Sequence, residues 1–138
     1  MSGDGTGGGP RPGVDTPYAM LGGSEKVRAI VERFYDAMEP DLAALHSCDE
    51  EGRVSRVTRD RFALFFIGWL GGPQDYMERH GHPRLRRRHA HVPVNEHMRD
   101  AWLRAMSRAL DEERVEGHIR SFLDARLAEV ADFLRNTR

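Results

Sequence analysis

The fold class of this protein is decided by residues 55–73, which read SRVTRDRFALFFIGWLGGP. The large aromatic side chains of this stretch recur at intervals of three and four residues, which is typical of one face of a helix: Phe62, Phe65, Phe66 and Trp69. Gly71-Gly72-Pro73 then ends the helix, because glycine permits positive φ and proline cannot continue the backbone hydrogen bonds. The stretch therefore predicts a helix with the most aromatic face in the chain.

Three other segments show helical periodicity. The first begins at a capping Ser24, carries Tyr35 at the edge of its apolar stripe and ends before Pro40. Asn95 caps the next, and the last starts at about Val115. Its apolar face is predicted to contain Ile119, Phe122, Leu123, Leu127, Val130, Phe133 and Leu134. No segment alternates with period two, so the sequence predicts an all-α fold without a sheet.

The chain has 138 residues, which suits a single domain. Residues 1–16 are rich in glycine and proline and predict a flexible tail, and residues 17–138 predict the folded domain. Between the helices we expect a short helical turn at 41–46 and an irregular stretch at 73–93, interrupted by Gly81 and two prolines. A long irregular stretch in a small domain is usually functional.

Composition excludes several classes of protein. The longest apolar run is far shorter than the roughly 20 residues of a membrane-spanning helix, and no secretory signal is recognisable, so a cytoplasmic protein is expected. The single cysteine, Cys48, rules out an internal disulfide, a thiolate zinc cluster and covalent haem attachment through Cys-x-x-Cys-His. A net charge of −1 provides no general attraction for nucleic acid or an anionic membrane.

Histidines are concentrated in one part of the chain. Five of the seven lie between residues 80 and 97, interleaved with arginines: His80, His82, His89, His91 and His97. From spacing alone this segment is a solvated basic loop, a metal site built from His-x-His pairs, or an arginine-rich contact for nucleic acid. The metal site lacks an evident carboxylate ligand, and the nucleic-acid contact lacks stacking aromatics. A fourth interpretation is that one histidine supplies the axial nitrogen to a haem iron, whose porphyrin the aromatic helix covers.

Several motifs in order along the chain together resemble one family, the group II truncated haemoglobins. They are Gly22-Gly23, Phe34-Tyr35, Gly68–Pro73, Gly81–His89 and Asp100–Leu103. The resemblance runs from Tyr18 to about Leu110 and more weakly beyond. It implies a truncated globin in which two helices pack across two around a non-covalent b-type haem, with a broken proximal segment.

The resemblance also assigns roles to individual residues. It makes His89 the proximal ligand of the iron, and Tyr35 and Trp102 hydrogen-bond donors to a bound diatomic ligand on the opposite face. His46 takes a third position on that face. The stretch 47–56 looks like an insertion, which leaves the placement of His46 open.

Other residues are expected around the porphyrin. The resemblance places Thr58 and Phe62 on the distal wall and Phe65 in contact with the haem, with Trp69 packing into the core. The haem propionates need donors, and the candidates are Arg61, Arg84, Arg86 and Tyr76.

The function implied is reversible binding of dioxygen, and of nitric oxide and carbon monoxide, at a five-coordinate ferrous iron. Three donors around the ligand favour slow release, which suits redox chemistry, sensing or detoxification of nitric oxide or peroxide better than oxygen transport. Turnover as a nitric oxide dioxygenase or peroxidase would need an unidentified reductase; the protein itself is expected as a monomer or homodimer. The alternative is a haem-free helical binding module that uses Arg84–Arg88 against an acidic partner or nucleic acid.

Overall fold

The computed structural model describes residues 16–82 and 94–135, and this part of the chain is helical. The helices are α1 (Pro17–Leu21), α2 (Ser24–Asp36), α3 (Pro40–Ala43), α4 (Arg56–Trp69), α5 (Asp75–His80), α6 (Glu96–Glu112) and α7 (Gly117–Leu134). Within these ranges the β-structure is one isolated antiparallel bridge, between Cys48 and Val54. The predicted all-α fold is confirmed.

The predicted helix ends are mostly correct. The Ser55 and Asn95 side chains cap α4 and α6 by accepting from the backbone N–H three residues on. At α2 the cap is Gly23, and Ser24 is already helical. α2 ends at Asp36, and Pro40 begins α3, because the missing N–H of proline is harmless in a first helical turn.

The helices form two pairs that pack across each other. α2 packs against both α4 and α6, and α7 packs against α6. The side chains buried most completely at these contacts are apolar, and the largest are Phe34, Phe66, Ile30, Leu70, Met106, Leu110 and Leu123. The pair α2 and α4 therefore lies over the pair α6 and α7, as the two-over-two arrangement requires.

The apolar face of α7 differs from the prediction. Leu123, Leu127 and Ala131 are buried, whereas Phe122 and Phe133 are 47% and 54% exposed. The buried residues repeat every four positions, and Phe122 is one residue, or about 100°, away from that stripe. Residue type alone did not predict that both phenylalanines of α7 are exposed.

A close crossing joins the start of the chain to the end of α4. The backbone N–H of Tyr18 donates to the carbonyl of Leu70 at 2.9 Å. Gly72 lies directly under the Tyr18 ring, where a Cβ would come within 2.6 Å of a ring carbon. Thr16, the last residue of the predicted tail, accepts from the Ala19 N–H and caps α1. The glycine pair of the aromatic stretch thus lets α1 cross the end of α4.

We expect Gly72→Ala to destabilise the fold by about 1–3 kcal/mol, because the added methyl group overlaps the Tyr18 ring. Urea denaturation of the two proteins measures this difference. In a Tyr18→Ala background the same substitution should cost clearly less. An equal cost in both backgrounds would show that the Tyr18 contact is not the cause.

Across the described ranges, none of the helices is long and apolar enough to cross a bilayer.

Candidate functional site

A cavity of about 700 Å³ lies between the two helix pairs, and we call it the central cavity. Its walls come from α2, α4, α5, α6, α7 and the segment around α3. Cavities of about 300–1,000 Å³ with mainly apolar walls hold cofactors and small ligands. The lining includes every described residue that was predicted to contact a cofactor or its ligand: Tyr35, His46, Thr58, Arg61, Phe62, Phe65, Tyr76 and Trp102.

An aromatic wall centred on Phe62 forms one side of the cavity. The Phe62 ring stacks on Phe66 at 5.5 Å between centroids and lies 6.1 Å from Phe65. It also lies 5.8 Å from the Tyr35 ring. These contacts hold the half-buried Phe62 ring in place against the cavity. Trp69, predicted to pack, does stack on Phe66, but it also lines the cavity.

Tyr35 offers an unused hydrogen-bond donor to the cavity. The residue is 7% exposed, and its ring packs edge-on against Phe34. Its hydroxyl makes no hydrogen bond to any residue in the ranges 16–82 and 94–135, which leaves its O–H available to a ligand. Burial raises the pKa of Tyr35 well above its usual range, although the Arg59 guanidinium opposes the shift. The phenol is therefore protonated at neutral pH and can donate.

Trp102 is a second donor at the same cavity. Its ring lies 5.3 Å from the Phe34 ring, edge to face, so the side chain is held by the core while it lines the cavity. Its indole N–H, which can only donate, has no acceptor among the described residues. The Tyr35 and Trp102 rings both contact the Phe34 ring, so the two donors lie near each other in the cavity lining.

His46 lies in the cavity wall in spite of the predicted insertion that follows it. The half-buried ring is 5.6 Å from the Tyr35 ring, and its Nδ1 lies 3.1 Å from the carbonyl oxygen of Leu42. A carbonyl only accepts, so Nδ1 carries the proton and Nε2 of the neutral ring can only accept. The hydrogen bond to Leu42 and the contact with Tyr35 hold the His46 ring in the cavity wall.

Thr58 belongs to the start of α4. The Ser55 hydroxyl donates to the Thr58 hydroxyl at 3.1 Å and accepts from the Thr58 N–H at 3.3 Å. Thr58 lines the cavity, but its short side chain is engaged in this cap.

Two predicted propionate partners, Arg61 and Tyr76, also line the cavity. Arg61 is exposed and has no ion pair with the described residues, whereas Arg99, which also lines the cavity, is paired with Glu96, Asp100 and Asp132. Tyr76 is buried, and its ring meets Phe65 edge-on at 5.6 Å. The remaining candidates, His89, Arg84 and Arg86, lie outside the described residues.

Two parts of the site were not predicted from the sequence. One is formed by Met98, Leu127, Val130 and Ala131, which line the cavity; Leu127 and Val130 had been predicted only as part of the apolar face of α7. The other is Arg59, a buried arginine behind Tyr35 that is 3% exposed. No sequence signal separates it from the exposed arginines of the same helix.

Comparison with known proteins identifies the family. The bacterial-like globin family profile matches residues 16–136. The chain belongs to the bacterial-like globins. It is 36% identical to the group 2 truncated hemoglobin YjbI of Bacillus subtilis over 124 residues, covering 88% of this chain and 89% of that one. The resemblance to group II truncated haemoglobins is thereby confirmed.

Solved structures agree with this assignment. A group II truncated hemoglobin from Bacillus anthracis matches with a TM-score of 0.80 and 36% identity, over 88% of this globin and 97% of that chain. A truncated oxygen-avid haemoglobin from Bacillus subtilis matches with a TM-score of 0.78 and 36% identity, over 88% and 99%. Membership of a globin family implies that this chain binds haem and diatomic gases such as oxygen. It speaks against the haem-free binding module.

The residues of this globin fit a haem. A porphyrin is a flat apolar ring, which the stacked wall of Phe62 and Phe65 and the aliphatic side chains of α7 suit. Among the residues that the structure describes, the buried phenol of Tyr35 has no acceptor and the exposed Arg61 has no carboxylate partner. A propionate would need such a cation. The donor set and the wall together match what the family implies.

Replacing Arg61 by glutamine should speed haem loss by no more than about fivefold, because an exposed ion pair contributes only about 0–1 kcal/mol. Transfer of haem to an excess of a scavenging apoprotein measures the rate. Arg108→Gln, an equally exposed change on α6 outside the cavity lining, is the control and should have no effect. A purified Arg61→Gln protein without haem would contradict this expectation.

Proposed function

We propose that this globin binds dioxygen, and also nitric oxide and carbon monoxide, reversibly at the iron of a non-covalent b-type haem in the central cavity. In this proposal His89 is the proximal ligand, and Phe62 and Phe65 cover the porphyrin. Arg61, Tyr76, Arg84 and Arg86 are the propionate partners in the proposal. When bound, the haem supplies a ferrous iron with an open position for a diatomic gas.

The observation that carries the proposal is the pair of unused donors in the cavity lining. Tyr35 O–H and Trp102 N–H both belong to cavity-lining residues and have no acceptor within residues 16–82 and 94–135. A bound oxygen molecule that gains negative charge from the iron is an acceptor for both. A hydrogen bond of this kind contributes on the order of 1–2 kcal/mol, and about 1.4 kcal/mol slows release tenfold.

Slow release of oxygen favours some physiological roles over others. A carrier must unload its gas, whereas a protein that carries out redox chemistry, senses a gas or detoxifies nitric oxide or peroxide benefits from holding its ligand. Two donors in the wall support the second group of roles. A relative described as oxygen-avid supports them as well. Repeated turnover would then require an electron donor, which is a partner to be identified.

The first experiment uses the two tryptophans of the chain, Trp69 and Trp102, which both line the central cavity. One equivalent of haemin added to the apoprotein should quench the fluorescence of both tryptophans and produce a Soret band. Trp69→Phe and Trp102→Phe report on each tryptophan separately. A Soret band without quenching would place the haem elsewhere and overturn the proposal.

The second experiment measures ligand release. Oxygen is displaced by carbon monoxide in a stopped-flow instrument, and release should be slow in the wild type and faster in Trp102→Phe. Release as fast as from a pocket without donors, and unchanged in Trp102→Phe, would contradict the proposed role of the donors.

A further inference from the structure

A buried arginine lies directly behind the proposed oxygen-binding tyrosine. Arg59 is 3% exposed, and it is the one charged side chain buried in the described core. Its guanidinium has three partners: Nε donates to the Val54 carbonyl at 2.8 Å, and Nη1 lies 2.9 Å from both Glu32 Oε1 and Asp36 Oδ1. A buried charge is retained in a core only where its partners are placed this closely.

The partners of Arg59 flank Tyr35 on α2. Glu32 lies three residues before Tyr35, and Asp36 follows it directly. One guanidinium nitrogen, Nη1, therefore joins α4 to the residues on both sides of the tyrosine, while Nε binds Val54 in another direction. The single ammonium of lysine does not supply these two separate donors. Its bond to Val54 adds the loop that precedes α4. One side chain thus holds two residues of the α2 segment that carries Tyr35 and one residue of the loop before α4.

Arg59 also contacts the aromatic ring itself. Its guanidinium carbon lies 5.7 Å from the centroid of the Tyr35 ring, within the range of a cation–π interaction. A positive charge at the ring withdraws electron density from the phenol and makes its O–H a stronger donor. The same charge opposes the upward shift that burial causes in the pKa of Tyr35.

We infer that Arg59 is a positioning residue for ligand binding: it orients the Tyr35 ring towards the central cavity and strengthens the hydrogen bond that Tyr35 donates. The inference rests on the proposed function, because it concerns the ligand that Tyr35 contacts. It predicts that a residue that does not line the cavity controls how long the gas stays bound.

The test compares Arg59→Met with wild type. Methionine has a similar reach and no charge, and the carboxylates it leaves behind are 36% and 48% exposed and keep Arg56 and Arg53 as partners. Oxygen release should become about three- to tenfold faster, the range of one cation–π contact. The infrared stretching frequency of bound carbon monoxide should rise, because it reports the field of the donor on the ligand.

Two further variants distinguish an effect of Arg59 on the position of Tyr35 from a general loss of folding stability. Arg56→Gln breaks an exposed ion pair with the same Glu32 without touching Tyr35, and it should leave release and stretching frequency unchanged. Arg59→Lys keeps the charge but loses the fork, and it should give a smaller acceleration than Arg59→Met. If Arg59→Met does not fold, the acceleration in Arg59→Lys tests the positioning role, and release unchanged from wild type in that variant would overturn the inference.

The Tyr35→Phe background identifies the route of the effect. If Arg59 acts through the Tyr35 hydroxyl, Arg59→Met should add nothing to Tyr35→Phe. An unchanged Arg59→Met, or an equal acceleration in both backgrounds, would overturn the inference and leave the role of Tyr35 intact. If Tyr35→Phe itself changes neither readout, the donor role in the proposed function fails and the inference fails with it.

Discussion

Replacing His89 by glycine is expected to give a protein that is purified nearly colourless and binds added haemin weakly. The proposed iron–imidazole bond is the one coordinate bond between the chain and the haem, and without it only apolar contacts and weak propionate contacts hold the porphyrin. Absorption spectra during haemin titration measure the loss. Free imidazole should fit the space left by the side chain and restore both the Soret band and carbon monoxide binding.

The control for this variant is His82→Gly. His82 belongs to the same histidine-rich stretch and is exposed. It should keep a wild-type spectrum. Haem loss in His82→Gly with retention in His89→Gly would show that the proximal ligand was assigned to the wrong histidine. Retention of haem in both variants would show that neither histidine is the proximal ligand.

Replacing Tyr35 by phenylalanine is expected to speed oxygen release by about five- to thirtyfold, which corresponds to one lost hydrogen bond of about 1–2 kcal/mol. Phenylalanine keeps the edge-on contact with Phe34 and the burial of the ring, so the pocket should not collapse. Stopped-flow displacement of oxygen by carbon monoxide measures the rate. Carbon monoxide release, which depends less on a donor, should change much less.

Tyr76→Phe is the matched control, since it removes the hydroxyl of another buried tyrosine of the same cavity, on α5. It should leave oxygen release unchanged, because the proposal places Tyr76 at the propionates. Equal acceleration by both variants would mean that loss of any cavity hydroxyl matters, and the specific donor role of Tyr35 would be contradicted.

The stretch 47–56, predicted to be an insertion, left the position of His46 open. In the structure the Ser55 N–H donates to the Ser47 carbonyl at 2.7 Å, and Cys48 pairs with Val54. Residues 47–55 therefore form a closed loop whose ends lie together. His46 consequently remains beside Tyr35.

The burial of Arg59 is a feature that the sequence does not predict. Nothing in the order of residues 55–62 distinguishes it from Arg56 or Arg61, which are exposed on the same helix. Its burial depends on Glu32 and Asp36, which come from another helix. A contact between two distant segments produces no periodic pattern in the sequence of either segment.

The sequence by itself determined the helical fold, the glycine break after α4 and several of the aromatic side chains that line the cavity. Helical periodicity, capping and chain reversal depend on neighbouring residues, so they can be read locally. Only the tertiary structure decided that both phenylalanines of α7 are exposed, that His46 bonds the Leu42 carbonyl, and that Arg59 lies behind Tyr35. Those outcomes depend on which helix faces meet, and that is settled by the packing of the whole chain.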